Sequence, residues 1–195
     1  MDAEKDVLLG YGPQGLALEV NPWQSQRSVE SVLLYRGTIV SAWANVEATL
    51  IEVALRASHQ AEYRGFRPQY PSKLKSRVTY LREIIELPGP LQPYRNMARC
   101  VLDRYVRTEA LRNMMAHGGM QILPGWGATM KMFKPLSGSE VSWTTQRFTE
   151  SELRSLAFKT ARFSRSVQRL LGKLNTLNAL PNLNDIADDQ VKQAT

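Results

Sequence analysis

The chain has 195 residues, 43% of them hydrophobic, which is enough to bury one core and favours one domain over two. Its 25 Lys and Arg residues outnumber 18 Asp and Glu residues, and the formal charge of +7 favours acidic partners such as nucleic acid. Cys100 is the single cysteine, which excludes an intrachain disulfide and a thiolate metal cluster.

The sequence predicts a cytoplasmic protein without a membrane segment. No uninterrupted apolar run is long enough to cross a bilayer, and the start, MDAEKDVLLGYG, lacks the basic and apolar blocks of a secretory signal. His59 and His117 are far apart and lack a neighbouring Cys pair or carboxylate cluster, so we expect no metal site and no cofactor.

The first 27 residues are rich in glycine and proline, which predicts a loop-rich lead-in. From Ser28, a candidate N-cap, apolar residues recur at helical spacing to about Ser58 and predict the first helix. The face that this helix would bury contains Val29, Val32, Arg36, Val40, Trp43, Glu47, Leu50 and Ala54.

Two further helices are predicted before residue 118. Residues 72–87 carry an apolar stripe at spacings of three and four, formed by Leu74, Val78, Leu81 and Ile85. Prolines and a glycine then interrupt the chain, and a third helical pattern runs from about Pro93 to His117. Gly118 and Gly119 follow, and glycine commonly ends helices.

Strand-prone residues follow on either side of the turn-like segment 135–139, and they predict a small β-hairpin over about 119–148. This hairpin would be inserted between the third and fourth main helices. Its aromatic residues Trp126, Phe133 and Trp143 could stack on bases, but in a small insertion such residues more often supply the local core.

Thr149 and Glu152 form a capping-box pattern at the start of the fourth predicted helix. Its apolar stripe consists of Leu153, Leu156, Thr160, Phe163, Val167, Leu170, Leu174 and Leu177. The opposite side carries a basic line, which either is a solvated face or follows an RNA backbone, with Arg162, Arg165 and Arg169 as the candidate contacts.

Four amphipathic helices with short connections predict a mainly α fold, an up-down four-helix bundle that carries the β-hairpin insertion. The helical domain would span residues 28–177. Residues 178–195 lack periodicity, so they are expected to form a flexible tail.

Arg112 and His117 lie in the last turns of the third predicted helix. Each continues an apolar row along that helix, so both side chains should emerge where the core meets solvent or a partner. Asn113 precedes His117 by four residues and shares its face.

The segment Leu111–Gly118, LRNMMAHG, resembles the Arg-polar-three residues-His signature that ends the third helix of HEPN-family ribonucleases. The predicted order of four helices is similar too. This resemblance implies a metal-independent endoribonuclease that acts as a homodimer, with the Arg and His of both subunits in one composite site. Many such proteins are toxins of toxin–antitoxin or phage-defence systems, which makes an antitoxin protein an implied partner, whereas others have lost catalysis.

The residue types suit cleavage of single-stranded RNA by attack of the ribose 2′-OH on its own phosphate. Histidine can transfer a proton near neutral pH, and arginine supplies a permanent planar cation for the phosphorane charge. We therefore expect Arg112 and His117 to be catalytic, with Asn113 orienting the ring or holding a phosphate oxygen.

Glu47 is a supporting candidate, because a lone carboxylate on the core side of the first helix needs a partner. That partner is either Arg112, which Glu47 would then orient, or Arg36 or another arginine of the bundle. The alternative function is a noncatalytic helical module that dimerises and binds protein or RNA. In that case Arg112 makes a surface ion pair and His117 only helps to cap its helix.

Overall fold

The computed structural model describes residues 9–11, 17–19, 22–66, 73–135, 141–184 and 186. Within this part the chain is mainly helical, with five α-helices, a three-stranded antiparallel sheet and a pair of short strands. The prediction of a mainly α fold is confirmed. The chain divides into two compact units: unit 1 consists of residues 1–42 and 109–162, and unit 2 of residues 43–108 and 163–195.

The N-terminal segment contains more regular structure than its glycines and prolines predict. Strand β1 (Leu9–Tyr11) pairs antiparallel with β2 (Ala17–Glu19), and helix α1 (Pro22–Ser58) begins before residue 28. Proline suits the first position of a helix, because its missing N–H has no helical partner there. The predicted loop-rich lead-in therefore contains a pair of short strands, and the helix predicted from Ser28 begins at Pro22.

Ser28 is not the N-cap that the sequence predicts, because it lies inside α1 and is buried. Its hydroxyl donates a hydrogen bond to Glu150 Oε2 at 3.1 Å and accepts one from the Gly125 N–H at 3.2 Å. Ser28 thus ties α1 to two other segments of unit 1.

The predicted apolar face of α1 is buried at several positions, including Val32, Trp43 and Ala54. By length and composition alone, Gln26–Ser58 could also cross a membrane, a test that the core helix of a soluble protein passes as well. Of its most apolar stretch, 44% is buried inside the protein. The helix also carries Glu47, whose charge a bilayer interior disfavours.

Helix α2 (Leu74–Ile84) confirms the second predicted helix, and its Val78 and Leu81 side chains are buried. The third predicted helix is two helices, α3 (Arg95–Arg107) and α4 (Glu109–His117), with a short 3-10 turn before them. The break falls at Thr108.

Thr108 lies between the two helices, with φ −102° and ψ 6°. Its hydroxyl donates to the carbonyl oxygens of Arg104 at 2.8 Å and Tyr105 at 3.2 Å. Thr49 makes the same bond to Asn45, four residues before it, at 2.8 Å within α1, and that helix continues. The hydroxyl bond therefore accompanies the break and does not by itself account for it.

The predicted hairpin is part of a larger sheet. Strands β3 (Gly119–Leu123), β4 (Gly127–Pro135) and β5 (Val141–Thr149) pair antiparallel in that order. The sequence predicted the β4 and β5 strands but missed β3. Residues 136–140, which contain most of the predicted turn-like segment 135–139, lie outside the described residues.

Helix α5 (Glu150–Thr176) begins at the predicted capping box. The Glu152 N–H donates to Thr149 Oγ1 at 3.2 Å, and the Thr149 N–H donates back to Glu152 Oε2 at 2.8 Å. The Thr149 hydroxyl also donates to Glu152 Oε2, at 3.0 Å. The two bonds to this oxygen lower the pKa of the Glu152 carboxyl, the bond from the Thr149 N–H more than the bond from its hydroxyl. The predicted stripe is buried from Leu153 to Leu174 except at Leu156, which is partly buried, whereas Leu177 is exposed beyond the helix end.

In unit 2, Arg56 is buried at the end of α1 and holds the segment that follows α5. Its guanidinium donates to the carbonyl oxygens of Pro181 at 2.7 Å and Leu180 at 3.0 Å, and it pairs with Glu52 at 3.1 Å. Leu180 is itself buried. The first residues of the predicted flexible tail are therefore packed, while residues 187–195 lie outside the described part.

Candidate functional site

The Arg112, Asn113 and His117 side chains are carried by the short helix α4 of unit 1. Arg112 and Asn113 are partly buried, and Arg112 Nη2 donates to Asn113 Oδ1 at 2.8 Å. Burial lowers the pKa of the Arg112 guanidinium, but arginine remains charged at neutral pH. The amide of Asn113 thus holds part of the guanidinium while Arg112 keeps its charge.

His117 is the last residue of α4, and its side chain is exposed. It follows Arg112 by five residues, which on an ideal helix is a rise of about 7.5 Å and a rotation of about 140°. Asn113 and His117 are four residues apart and share a face. Both predicted catalytic side chains therefore belong to one helix, as expected, and His117 is open to a substrate.

Arg36 of α1 fixes the end of α4. Its Nε donates to the Met115 carbonyl oxygen at 2.9 Å, and its Nη2 donates to the Gly118 carbonyl oxygen at 2.8 Å. The last carbonyls of a helix lack partners within the helix, and a cation there also suits the helix dipole. Because the two acceptors stand on either side of His117 in the chain, Arg36 positions the backbone that carries the imidazole.

Gly118 makes the tight passage from α4 into β3 possible. Its N–H donates to the Met114 carbonyl oxygen at 2.9 Å. A Cβ atom at this position would lie 2.4 Å from that oxygen and 3.2 Å from the carbonyl oxygen of Lys131 in β4. Only glycine fits there without a backbone shift, so its role extends beyond ending a helix.

One face of the sheet is open and mixes aromatic with cationic side chains. A groove of about 500 Å³ lies at one end of it, and its lining includes Trp126, Lys131 and Arg147 but neither Phe133 nor Trp143. The exposed fractions are 49% for Trp126, 63% for Phe133 and 71% for Trp143. The prediction that these three aromatic residues form a local core is therefore wrong, because each is exposed to solvent.

No protein-family model, curated protein or solved structure matches this chain. The resemblance of Leu111–Gly118 to the HEPN signature therefore stays a prediction from the sequence.

Glu47, the supporting candidate, belongs to unit 2 and is partly buried. Its Oε1 accepts a hydrogen bond from the Tyr105 hydroxyl at 3.3 Å, a partner that the sequence did not predict. The ring of Tyr105 packs edge-on against Trp43, with centroids 5.8 Å apart. The predicted pairing of Glu47 with Arg112 stays a prediction, because the two residues belong to different units.

The three arginines predicted as weak RNA contacts, Arg162, Arg165 and Arg169, are all exposed on α5. Exposure fits both a solvated face and a phosphate contact, so both interpretations stand. By contrast, Arg36 was predicted only as part of a buried stripe and as one alternative partner of Glu47. The sequence signal for such a role was a cation on an apolar stripe, which needs acceptors when it is buried, but the sequence did not indicate which acceptors.

Proposed function

We propose that this chain is a metal-independent endoribonuclease of the HEPN type that cleaves single-stranded RNA through the ribose 2′-OH. The observation that carries the proposal is the last turn of α4. There an exposed His117 and a partly buried Arg112 lie on one short helix, and the end of that helix is fixed by Arg36.

The roles follow from the residue types. His117 transfers a proton at the attacking 2′-oxygen or at the leaving 5′-oxygen, and Arg112 neutralises the phosphorane charge. The 2′-OH gives up its proton as its oxygen bonds to phosphorus, and the 5′-oxygen takes up a proton as its bond to phosphorus breaks. His117 serves one of these two oxygens, as base or as acid, and water serves the other. Asn113 holds the guanidinium in place through its 2.8 Å hydrogen bond.

The helix geometry favours a site built from two copies. Arg112 and His117 leave α4 about 140° apart, so two copies that face each other can surround one phosphate more completely than one copy can. We therefore propose an up-down HEPN bundle that forms a homodimer with a composite site. A cytoplasmic location and restraint by an antitoxin protein belong to the same proposal.

Cleavage of a labelled single-stranded RNA in EDTA tests the reaction. We expect products with a 2′,3′-cyclic phosphate and a 5′-OH, and no cutting of the same strand made entirely of deoxynucleotides. Arg112→Ala and His117→Ala should abolish cutting while circular dichroism stays unchanged. Equal cutting by the wild type and both variants would identify a contaminating nuclease and defeat the proposal.

Mixing the two inactive variants tests the composite site. If two copies share their residues, a mixed dimer of Arg112→Ala and His117→Ala retains one intact Arg and one intact His, and activity should partly return. Binding of RNA without any cleavage by the wild type would instead favour the noncatalytic module.

A further inference from the structure

We infer that the open face of the β3–β4–β5 sheet binds single-stranded RNA as a stacking platform. Alternate residues of a strand share a face. In the register of this sheet, the exposed residues of the platform face are Gln121, Lys131, Phe133, Trp143, Thr145 and Arg147, with Trp126 in the turn before β4. Thr129 shares this face but is buried.

The aromatic residues of this face do not serve the core. The sheet buries Ala128 and Met130 on its other face, at 2% and 0% exposure. Phe133 and Trp143 are paired across β4 and β5, with ring centroids 6.5 Å apart and planes at 86°, yet both remain mostly in water. Exposed aromatic rings at neighbouring sheet positions are the surface on which unpaired bases stack.

The charge of the platform face matches a phosphate backbone. Lys131 is two residues from Phe133 along β4, and Arg147 is four residues from Trp143 along β5, so all four share the face. Between residues 119 and 149 the sequence has three cations and one acidic residue. Glu152 also lines the groove, but its carboxylate is already engaged by Thr149.

The platform also leads toward the proposed active site. Gly119, two residues after His117, pairs with Lys131 in the sheet register. The platform face extends along β4, where the six residue steps from Gly127 to Phe133 span about 20 Å. This length has room for a few nucleotides. The choice of RNA as the ligand rests on the proposed ribonuclease function, while stacking and charge alone define a single-stranded nucleic acid.

Binding is best measured in the full-length His117→Ala variant, so that the probe is not cut. In this background we measure two double variants. The aromatic variant combines Phe133→Ala and Trp143→Ala, and the charge variant combines Lys131→Gln and Arg147→Gln. The matched control, Arg64→Gln with Phe66→Ala, removes an exposed cation and an exposed ring from the segment that follows α1, which belongs neither to the platform nor to the basic face of α5.

Fluorescence anisotropy with a labelled single-stranded RNA should show a rise in Kd of at least about tenfold for the aromatic variant. The charge variant should lower the slope of log affinity against log salt by about 1.4, at about 0.7 per lost phosphate contact. The control should leave both quantities unchanged. Double-stranded RNA should bind more weakly than the single strand, because its bases are already stacked.

Unchanged affinity in both platform variants would overturn the inference, as would equal binding of single and double strands. The aromatic residues could instead form a contact between two copies of the chain. In that case sedimentation would show a dimer for the parent and a monomer for the aromatic variant, while RNA affinity stays unchanged. This result would also overturn the inference. If the wild type cuts RNA, and the platform substitutions change neither binding in the His117→Ala background nor cutting in the wild-type background, the inference fails and the proposed function stands. If binding depends on the platform residues but the wild type does not cut RNA, the inference stands and the proposed ribonuclease function fails.

Discussion

Arg36→Met should destabilise the protein and loosen the turn that carries His117. The substitution keeps much of the side-chain length but removes both donors to the Met115 and Gly118 carbonyls. A hydrogen bond to a charged group contributes about 1.5–3 kcal/mol. Arg36 is partly exposed, so the lower value applies to each bond, and the expected loss of unfolding free energy is about 3 kcal/mol.

Urea denaturation followed by circular dichroism measures this loss, which corresponds to a fall in Tm of about 6–12 °C for a chain of this length. Arg36→Lys should lose about half as much, since an ammonium lacks the fork that reaches two acceptors. Arg27→Met on the same helix is the matched control, because Arg27 is exposed. A loss below about 0.5 kcal/mol for Arg36→Met, no larger than the control, would refute the capping role.

Three further substitutions probe other contacts by urea denaturation. Gly118→Ala should cost at least about 2 kcal/mol, because its methyl group would lie 2.4 Å from a backbone carbonyl oxygen; a neutral result would contradict the tight passage. Arg56→Met should cost about 3 kcal/mol by leaving two backbone carbonyls unsatisfied, and stability equal to wild type would rule out that anchoring role. Glu152→Gln tests the capping box through the pH dependence of stability. The pKa of Glu152 is lowered in the folded protein, so the carboxylate stabilises the fold fully above the unfolded pKa of about 4.3. This stabilisation is lost as pH falls through the folded pKa. The stability difference between wild type and Glu152→Gln should therefore shrink in acid, and a constant difference between pH 7 and 3 would contradict the role of the charge.

Periodicity and capping chemistry predicted the elements that long, regular patterns specify. The stripe of α5 and the reciprocal bonds between Thr149 and Glu152 follow directly from the order of residue types. Local chemistry that overrides periodicity was harder to predict. The apolar periodicity of α3 continues into α4 across the break at Thr108, and β3 begins at Gly119, the second of two glycines that also indicate a helix end.

The candidate site was predictable as a motif but not as an environment. The spacing of Arg112, Asn113 and His117 predicted one helix end, whereas the anchoring of that end by Arg36 depends on a contact 79 residues away in the chain. The exposure of Trp143 could not be predicted either, because the alternation of residues along a strand shows which of them share a face but not which face is covered.

The most direct test of the proposed chemistry is the single-turnover rate of RNA cleavage by the wild type and by His117→Ala in EDTA. Ala116→Ser, at the exposed preceding position of α4, serves as the matched control. A proton-transfer role predicts a loss of about 10²–10⁴-fold for His117→Ala and a rate near wild type for the control. Equal rates for the wild type and His117→Ala would contradict a catalytic role for the helix end.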